Sequence, residues 1–498
     1  MAVKLNPLLI SAILTVLIFS PTAISRDLPP STHTALLDVS ASLKLAQDVL
    51  SFDPQTQLKP IFDQTQTAIA NHSSHSSSFS LLLHSRDSLI SAGDHHDDYR
   101  SLVLSRLARD SARVDSLNLK LQLAVDGVRK SDLLPTEDQV LRTEDLSTPV
   151  VSGTSQGSGE YFTRIGVGQP VRQFSMVIDT GSDVNWLQCQ PCSDCYQQSD
   201  PIFNPSASSS YSPLSCQSPQ CSALEVSACR SGRCLYQVSY GDGSYTVGDF
   251  VTETLSFGTS GGSVKGVALG CGHDDEGLFV GAAGLIGLGG GQLSLTSQLK
   301  ASSFSYCLVN RDSSASSTLE FNSASPGDSI FAPILKNSKT DTFYFVELTG
   351  MSVGGVPISV SPSLFGADES GNGGIIVDSG TAITRLRTPV YESLRDAFKK
   401  RTQELPAASG VSLFDTCYDL SSRTSVRVPT VSFQLAGGKT WALPAKNYLI
   451  PVDNSGTFCF AFAATTSSLS IIGNVQQQGT RVSYDLANSR VGFSPNKC

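Results

Sequence analysis

The chain has 498 residues, of which 40% are hydrophobic and 16% are charged, and its formal net charge at pH 7 is −9. This length exceeds what one hydrophobic core accommodates, so we expect two or more domains. The acidic balance gives no electrostatic reason to bind a polyanion, which argues against a nucleic-acid partner.

The first 25 residues have the pattern of a secretory signal peptide. Lys4 precedes an apolar run over residues 8–19, and Ala23 and Ser25 supply the small residues of a cleavage site. The run has 12 residues, fewer than the roughly 20 that span a bilayer. A signal anchor is the alternative. We expect a secretory-pathway protein without a membrane anchor after signal removal, and the choice among apoplast or extracellular space, vacuole and endoplasmic reticulum lumen stays open.

Residues 26–145 differ in composition from the rest, because they are rich in Ser, His and Asp and contain no cysteine. Their pattern predicts a helix around residues 98–125. We interpret the region as a prosegment, and the alternatives are a disordered linker or a small accessory domain. The only N-glycosylation sequon, residues 71–73, also lies here.

Two segments, residues 177–182 and 376–381, share one pattern. In each, an apolar β-type run leads into an aspartate and a turn that contains glycine and hydroxyls. One such turn is ordinary, but two of them, 199 positions apart, indicate a duplicated lobe that brings Asp179 and Asp378 together. Two carboxylates in one site cannot both ionise easily, so one holds a proton while the other acts as a base. Such a pair can activate water against an amide.

A cysteine-rich segment, residues 189–234, separates the two motifs. Its Cys-x-x-Cys-x-x-Cys spacing is compatible with zinc, but the segment contains no histidine. An even number of cysteines in a secreted chain predicts disulfides, here up to six. The twelve cysteines are Cys189, Cys192, Cys195, Cys216, Cys221, Cys229, Cys234, Cys271, Cys307, Cys417, Cys459 and Cys498.

A tight hairpin is predicted at residues 238–245, because Asp-Gly between two alternating strands favours a two-residue turn. Tyr240 precedes this turn, and Gly241 and Gly243 lie in it. A tyrosine beside a tight turn more often serves packing than function, so the hairpin alone does not identify a site.

In combination, these features resemble the pepsin-type aspartic proteases, and the cysteine-rich insert is most similar to their plant nepenthesin-like branch. The resemblance covers residues 160–498. It implies an all-β, bilobal fold with pseudo-twofold lobes and a cleft between them. The N-terminal lobe would comprise residues 146–330, including the insert, and the C-terminal lobe residues 331–498.

The same resemblance implies an aspartic-type endopeptidase that hydrolyses polypeptide substrates at acidic pH as a monomer, with no metal and no organic cofactor. Asp179 and Asp378 would be the catalytic pair. Thr180 and Ser379 match residues that interlock the two active-site loops, and Ser182 and Thr381 match residues that support the carboxylates. The supporting residues are Thr180, Gly181, Ser182, Ser379, Gly380 and Thr381.

The resemblance also assigns the hairpin to a flap that closes over substrate. Tyr240, Gly241 and Gly243 would belong to the flap, and Trp186 would pack beneath it, although a core indole is an equally simple interpretation. We expect disulfides Cys417–Cys459 and Cys307–Cys498, with the other eight cysteines paired inside the first lobe.

Two other function classes remain open: a binding protein on the same fold that has lost catalysis, and a cysteine-rich metal or redox module. The intact aspartate motifs and flap tyrosine favour the enzyme.

Residues 26–145 suggest how such an enzyme is controlled. Arg106, Arg109 and Arg113 follow i, i+3, i+7 spacing, so this basic stripe would lie over the ionised aspartate pair. Six of the seven histidines precede residue 146, and histidine changes charge between about pH 5 and 8. Acid-triggered release is one hypothesis, and a simply solvated polar region is the other. The histidines are His33, His72, His75, His84, His95, His96 and His273.

Overall fold

The computed structural model describes residues 33–51, 78–85, 96–126, 161–240, 244–258, 262–277, 279, 281–313, 315–323 and 325–498. The predicted signal peptide, the sequon and the flap glycines Gly241 and Gly243 lie outside these residues. The structure is built mainly of strands arranged in two lobes, which confirms the predicted all-β, bilobal fold.

The first lobe packs its strands around a core that includes Phe174, Ile178 and Ile286. Its short helices are Pro219–Ser222 and Leu295–Gln298, and Pro205–Ala207 is a 3-10 turn. Its strands are Tyr161–Val167, Arg172–Asp179, Trp186–Gln188, Asp194–Cys195, Ser212–Pro213, Ser227–Arg230, Arg233–Ser239, Tyr245–Ser256, Ser263–Glu276, Gly284–Gly287, Ser303–Cys307 and Ser317–Phe321.

The second lobe repeats this plan and carries one longer helix, Thr388–Lys399, which buries Val390, Tyr391, Leu394 and Phe398 at helical spacing. A short helix, Asn474–Gln477, and 3-10 turns at Pro362–Leu364, Ala436–Gly438 and Ala445–Asn447 complete it. Its strands are Ile330–Leu335, Phe345–Val346, Leu348–Val353, Val356–Pro357, Ile375–Val377, Thr384–Arg387, Ala407–Ala408, Cys417–Asp419, Ser425–Pro429, Val431–Leu435, Lys439–Ala442, Leu449–Pro451, Thr457–Phe460, Phe462–Thr465, Ser470–Ile472, Thr480–Asp485 and Arg490–Pro495.

One antiparallel sheet joins the two lobes. Ser303–Cys307 of the first lobe pairs with Thr480–Asp485 of the second, which in turn pairs with Arg490–Pro495. On the other side, Ser303–Cys307 pairs with Ser317–Phe321. Since backbone hydrogen bonds cross from lobe to lobe, the sheet fixes how the two aspartate loops face each other.

Residues 33–126, as far as the structure describes them, form what we call the N-terminal region. Its strand Phe79–Ser85 lies inside the shared sheet, between Ser317–Phe321 and Tyr161–Val167. A second strand, Thr34–Asp38, pairs with Ser425–Pro429. Helix Val39–Asp48 and the 3-10 turn Val49–Ser51 follow it. The N-terminal region is therefore held by both lobes.

The predicted helix is present as Tyr99–Asp126, which we call the cleft helix. Its buried positions recur every three or four residues, which marks one face packed against the protein. That face includes the charged residues Arg106, Asp110 and Arg113. Because buried charges are costly unless they are paired, each of them requires a partner in the lobes.

All twelve cysteines form disulfides, and the two predicted pairings are confirmed. The remaining four bridges lie within the first lobe, as expected. The bridges are Cys189–Cys271, Cys192–Cys195, Cys216–Cys229, Cys221–Cys234, Cys307–Cys498 and Cys417–Cys459.

In the part of the chain that the structure describes, no helix is both long and apolar enough to cross a membrane.

Candidate active site

The two aspartate loops are built in the same way in both lobes. Arg172–Asp179 runs parallel to Gly284–Gly287, and Ile375–Val377 runs parallel to Ser470–Ile472. The backbone N–H of Leu288 donates to the carbonyl of Asp179 at 2.7 Å, and the N–H of Asp378 donates to the carbonyl of Ile472 at 3.1 Å. Each aspartate is thus fixed by a parallel neighbouring strand.

Thr180 and Ser379 interlock the two loops. The backbone N–H of Ser379 donates to Thr180 Oγ1 at 2.9 Å, and the backbone N–H of Thr180 donates to Ser379 Oγ at 3.3 Å. Both residues are buried, so water does not compete for these bonds. This reciprocal pair holds Asp179 and Asp378 at a fixed separation.

The two carboxylates have different hydrogen-bond partners. Asp378 Oδ2 accepts from the Thr381 hydroxyl at 2.6 Å and from its N–H at 2.8 Å, and Gly380 donates to Oδ1 at 3.3 Å. Asp179 Oδ1 accepts from the N–H of Gly181 at 2.8 Å. Ser182 follows Gly181 in the same loop, and its hydroxyl helps to lower the pKa of Asp179. The hydroxyls of Ser182 and Thr381 thus each lie beside one of the two carboxylates.

The guanidinium of Arg113, on the cleft helix, lies between the two carboxylates. Its Nη1 is 3.1 Å from Asp179 Oδ2, and Nη2 also donates to Asp179 Oδ1. Nε is 3.0 Å from Asp378 Oδ2, and Nη2 is 2.9 Å from Asp378 Oδ1. One cation therefore binds both carboxylates in the forked geometry that arginine favours.

The charge pairing shows in the acid–base behaviour of the site. Burial alone would raise the pKa of Asp179, but Arg113, assisted by the N–H of Gly181, outweighs it and holds that pKa below its usual value. Burial opposes the charge on Arg113 as well, yet Asp179 and Asp378 raise its pKa. The pairing thus favours the ionised form of Asp179 and the cationic form of Arg113.

Two glycines make room for this cation. A Cβ on Gly181 would lie 2.6 Å from Arg113 Nη2, and a Cβ on Gly380 would lie 2.4 Å from Arg113 Cζ. Any larger side chain at either position would occupy the space beside the carboxylates. The two glycines therefore keep open the place where a group can touch both aspartates.

Two further charged residues of the cleft helix have partners in the lobes. Arg106 Nη1 is 2.7 Å from Asp312 Oδ1, and the hydroxyl of Tyr99 donates to Asp312 Oδ2 at 2.8 Å. Asp110 Oδ2 is 2.8 Å from Arg385 Nη2. Of the predicted basic stripe, Arg113 is the member that contacts the aspartates.

Apolar residues of the cleft helix cover the rest of the site. Toward its C-terminal end, Val114, Leu117 and Leu121 form one buried cluster with residues of the second lobe. Burying one such side chain contributes about 1.5–3 kcal/mol. The helix therefore excludes water and other chains from the aspartates. The second-lobe members of the cluster are Phe343, Phe345, Ile376, Leu469 and Ile471.

The predicted flap is the hairpin of Arg233–Ser239 and Tyr245–Ser256, in which Ser239 pairs with Tyr245. The indole N–H of Trp186 donates to the Tyr240 hydroxyl at 2.8 Å. Phe279 contacts both rings, with centroid distances of 4.9 Å to Trp186 and 5.2 Å to Tyr240. Trp186 is thus both a buried core residue and the support of Tyr240, whereas Phe279 was not anticipated.

Comparison with known proteins identifies relatives over most of the chain. Residues 161–322 match the family model described as xylanase inhibitor N-terminal, and residues 343–495 match the one described as xylanase inhibitor C-terminal. Aspartyl protease family protein 2 of Arabidopsis thaliana is 55% identical over 406 residues, 80% of this chain and 81% of that protein.

Two other relatives are also proteases by name. Protein ASPARTIC PROTEASE IN GUARD CELL 2 of Arabidopsis thaliana is 46% identical over 455 residues, 91% of this chain and 94% of that protein. Aspartic proteinase nepenthesin-1 of Nepenthes gracilis is 41% identical over 349 residues, 69% of this chain and 79% of that protein.

Among solved structures, the crystal structure of edgp is similar with a TM-score of 0.58 and 21% identity, covering 70% of this chain and 93% of that one. The crystal structure of conglutin gamma from lupine seeds gives a TM-score of 0.54 at 19% identity, covering 69% and 93%. These two likenesses support the fold.

Proposed function

Because the chain belongs to the aspartyl protease family and is an aspartic-type endopeptidase, we propose that it is made as an inactive secretory precursor. In this proposal Asp179 and Asp378 activate the attacking water, and residues 26–145 are a prosegment that blocks them until the pH falls. The observation that carries the proposal is Arg113, whose guanidinium binds both carboxylates from a helix that fills the cleft.

Catalysis would begin once the cleft helix has left. One carboxylate takes a proton from the water between the pair, and the other protonates the scissile carbonyl oxygen, which gives a tetrahedral gem-diol without a covalent enzyme intermediate. The pair titrates as one unit. The interlock of Thr180 and Ser379 would keep both carboxylates in reacting position, and the flap around Tyr240 would close over the substrate.

The ion pair with Arg113 gives the proposed release a direction in pH. Since that pairing lowers the pKa of Asp179 against the effect of burial, it stabilises the docked helix above the ordinary aspartate pKa of about 4. The stabilisation is lost as the pH falls through the lowered pKa, because the proton must then displace the guanidinium. On this basis the helix is released only in acid.

His84 adds a sensor that responds at higher pH. It is buried in strand Phe79–Ser85 and stacks on Phe162 with ring centroids 5.3 Å apart. Burial, and Arg164 on the adjacent strand, lower the pKa of His84 to about 4. Arg164 itself pairs with Asp200 at 2.8 Å. A released strand would have a histidine pKa of about 6.5, so it would bind a proton that the docked strand does not.

We therefore predict that His84→Phe lowers the pH at which the precursor converts. Between about pH 6.5 and 4, falling pH should weaken strand docking by up to roughly 3 kcal/mol through His84. Phenylalanine keeps a ring on Phe162 but does not titrate. The conversion midpoint, followed on gels, should fall by roughly one pH unit. His33→Phe is the control, because His33 is exposed, and an equal shift in both variants would contradict the role of His84.

The function is tested with the full-length chain, purified after secretion and incubated with denatured protein from pH 3 to pH 8. We expect loss of the first 25 residues on secretion. Acid should then produce conversion of the precursor and peptide hydrolysis, and a statine-type inhibitor should block the hydrolysis. Absence of inhibitor-sensitive hydrolysis at every pH, even after residues 26–145 have been removed, would overturn the proposal.

A further inference from the structure

The carboxylate of Asp110, on the cleft helix, occupies a site made by three donors of the second lobe. Arg385 Nη2 lies 2.8 Å from its Oδ2, the backbone N–H of Ile383 lies 3.3 Å from both oxygens, and the N–H of Ala382 also donates to Oδ1. Asp110 and Arg385 are 3% and 4% exposed. Such convergence of one cation and two amides is suited to a carboxylate.

This donor set is close to the aspartate pair and rigidly held. Thr381, which binds Asp378, directly precedes Ala382 in the chain. On the cleft helix, Asp110 and Arg113 are three residues apart, which is about 4.5 Å along the axis. Arg385 belongs to strand Thr384–Arg387, which is paired on both sides. A group that takes the place of Asp110 would therefore lie close to the aspartate pair.

Departure of the cleft helix would remove the negative charge that is paired with Arg385. Among the residues that the structure describes, the only carboxylate paired with Arg385 is Asp110. Within the second lobe, Arg385 Nη1 donates a hydrogen bond to the carbonyl of Ile383 at 3.0 Å. When a bound substrate again excludes water, an apolar substrate side chain next to Arg385 would leave this cation buried without a counter-charge, which is costly. A basic substrate side chain at the same place would repel it.

We propose that Arg385, with the amides of Ala382 and Ile383, forms a substrate subsite for an acidic side chain. We call it the carboxylate subsite. Asp110 fills it in the precursor, and a glutamate or aspartate of the substrate fills it in the active enzyme. The inference rests on the proposed function, because the subsite opens only when residues 26–145 leave the cleft.

The test uses acid-converted enzyme and peptides that differ only by Glu or Gln, with the exchange moved in turn through four positions on each side of the cleaved bond. At pH 5, where glutamate is mostly ionised, kcat/KM should favour Glu about tenfold at one position, a size typical of one charge-assisted hydrogen bond. Lysine at that position should be the poorest substrate. Arg385→Met should bring the Glu-to-Gln ratio close to one, and Arg385→Glu should favour Lys.

Arg395→Met is the matched control. Arg395 lies on the neighbouring helix Thr388–Lys399 and pairs with Asp396 and Asp415, so its loss should leave the ratio unchanged. Equal cleavage of Glu and Gln peptides at every position would refute the subsite, as would an unchanged ratio in Arg385→Met. The scan with the unaltered enzyme decides the question even if a variant fails to fold. Failure to cleave any of the peptides would instead count against the proposed function.

Discussion

Replacing either Asp179 or Asp378 by asparagine is expected to reduce peptide hydrolysis about 10⁴-fold or more, a loss typical of removing one member of a catalytic unit. Asparagine has nearly the same shape but cannot exchange a proton, and the remaining carboxylate cannot be acid and base at once. Both oxygens of each aspartate are occupied by donors in the closed state, so each substitution also weakens the hold of Arg113.

The measurement is kcat/KM for cleavage of a fluorogenic peptide. It is carried out on enzyme from which a second protease has removed residues 26–145. Circular dichroism should show an unchanged strand signal. Asp368→Asn, in an exposed loop of the second lobe, is the control and should retain full activity. Cleavage at near the original rate by either active-site variant would remove both residues from the mechanism.

Replacing Arg113 by glutamine should produce a precursor that converts at higher pH and much faster than the original. Breaking a buried ion pair by removing one partner costs about 3–5 kcal/mol, and here one guanidinium serves two carboxylates. Without it, Asp179 and Asp378 would repel each other beneath the cleft helix, and one of them would have to bind a proton. Docking of the helix would therefore be weakened already at neutral pH.

Release and proteolysis can be separated by placing Arg113→Gln in the inactive Asp179→Asn background, in which Arg113 still has both oxygens of Asp378 as partners and its loss leaves that carboxylate buried without a cation. Hydrogen exchange across residues 99–126 should then increase because the helix opens more often. Arg100→Gln is the matched control on the same helix, since Arg100 is half exposed and its partner Asp453 is 3.9 Å away. Such a surface pair contributes at most about 1 kcal/mol. Equal exchange in the two variants would show that Arg113 does not hold the helix.

The local parts of this site were predictable from the sequence. The turns around Asp179 and Asp378 need their own glycines and hydroxyls, and those residues lie next to the aspartates in the chain. The cleft helix was also predictable, because its periodicity is a property of one continuous segment. The flap tyrosine and Trp186 required the resemblance to a known family, since each alone indicates only packing.

What could not be predicted depends on residues far apart in the chain. Strand Phe79–Ser85 lies within the shared sheet because two strands from the first lobe flank it, and nothing in its own sequence names those partners. Helical phase placed Arg106 and Arg113 on one face, yet their partners Asp312 and Asp378 come from different loops. The bond between Asp110 and Arg385 likewise joins residues that only the folded cleft brings together.

The bridge between Cys307 and Cys498 closes a covalent ring of the chain that contains almost the whole second lobe. A single backbone cut anywhere between these two residues leaves both fragments in one molecule. Strand Thr480–Asp485 and its partner Ser303–Cys307 then remain tethered and can stay paired. A copy of this endopeptidase that is cut once within the ring would thus keep its mass on a non-reducing gel and separate into fragments on a reducing gel.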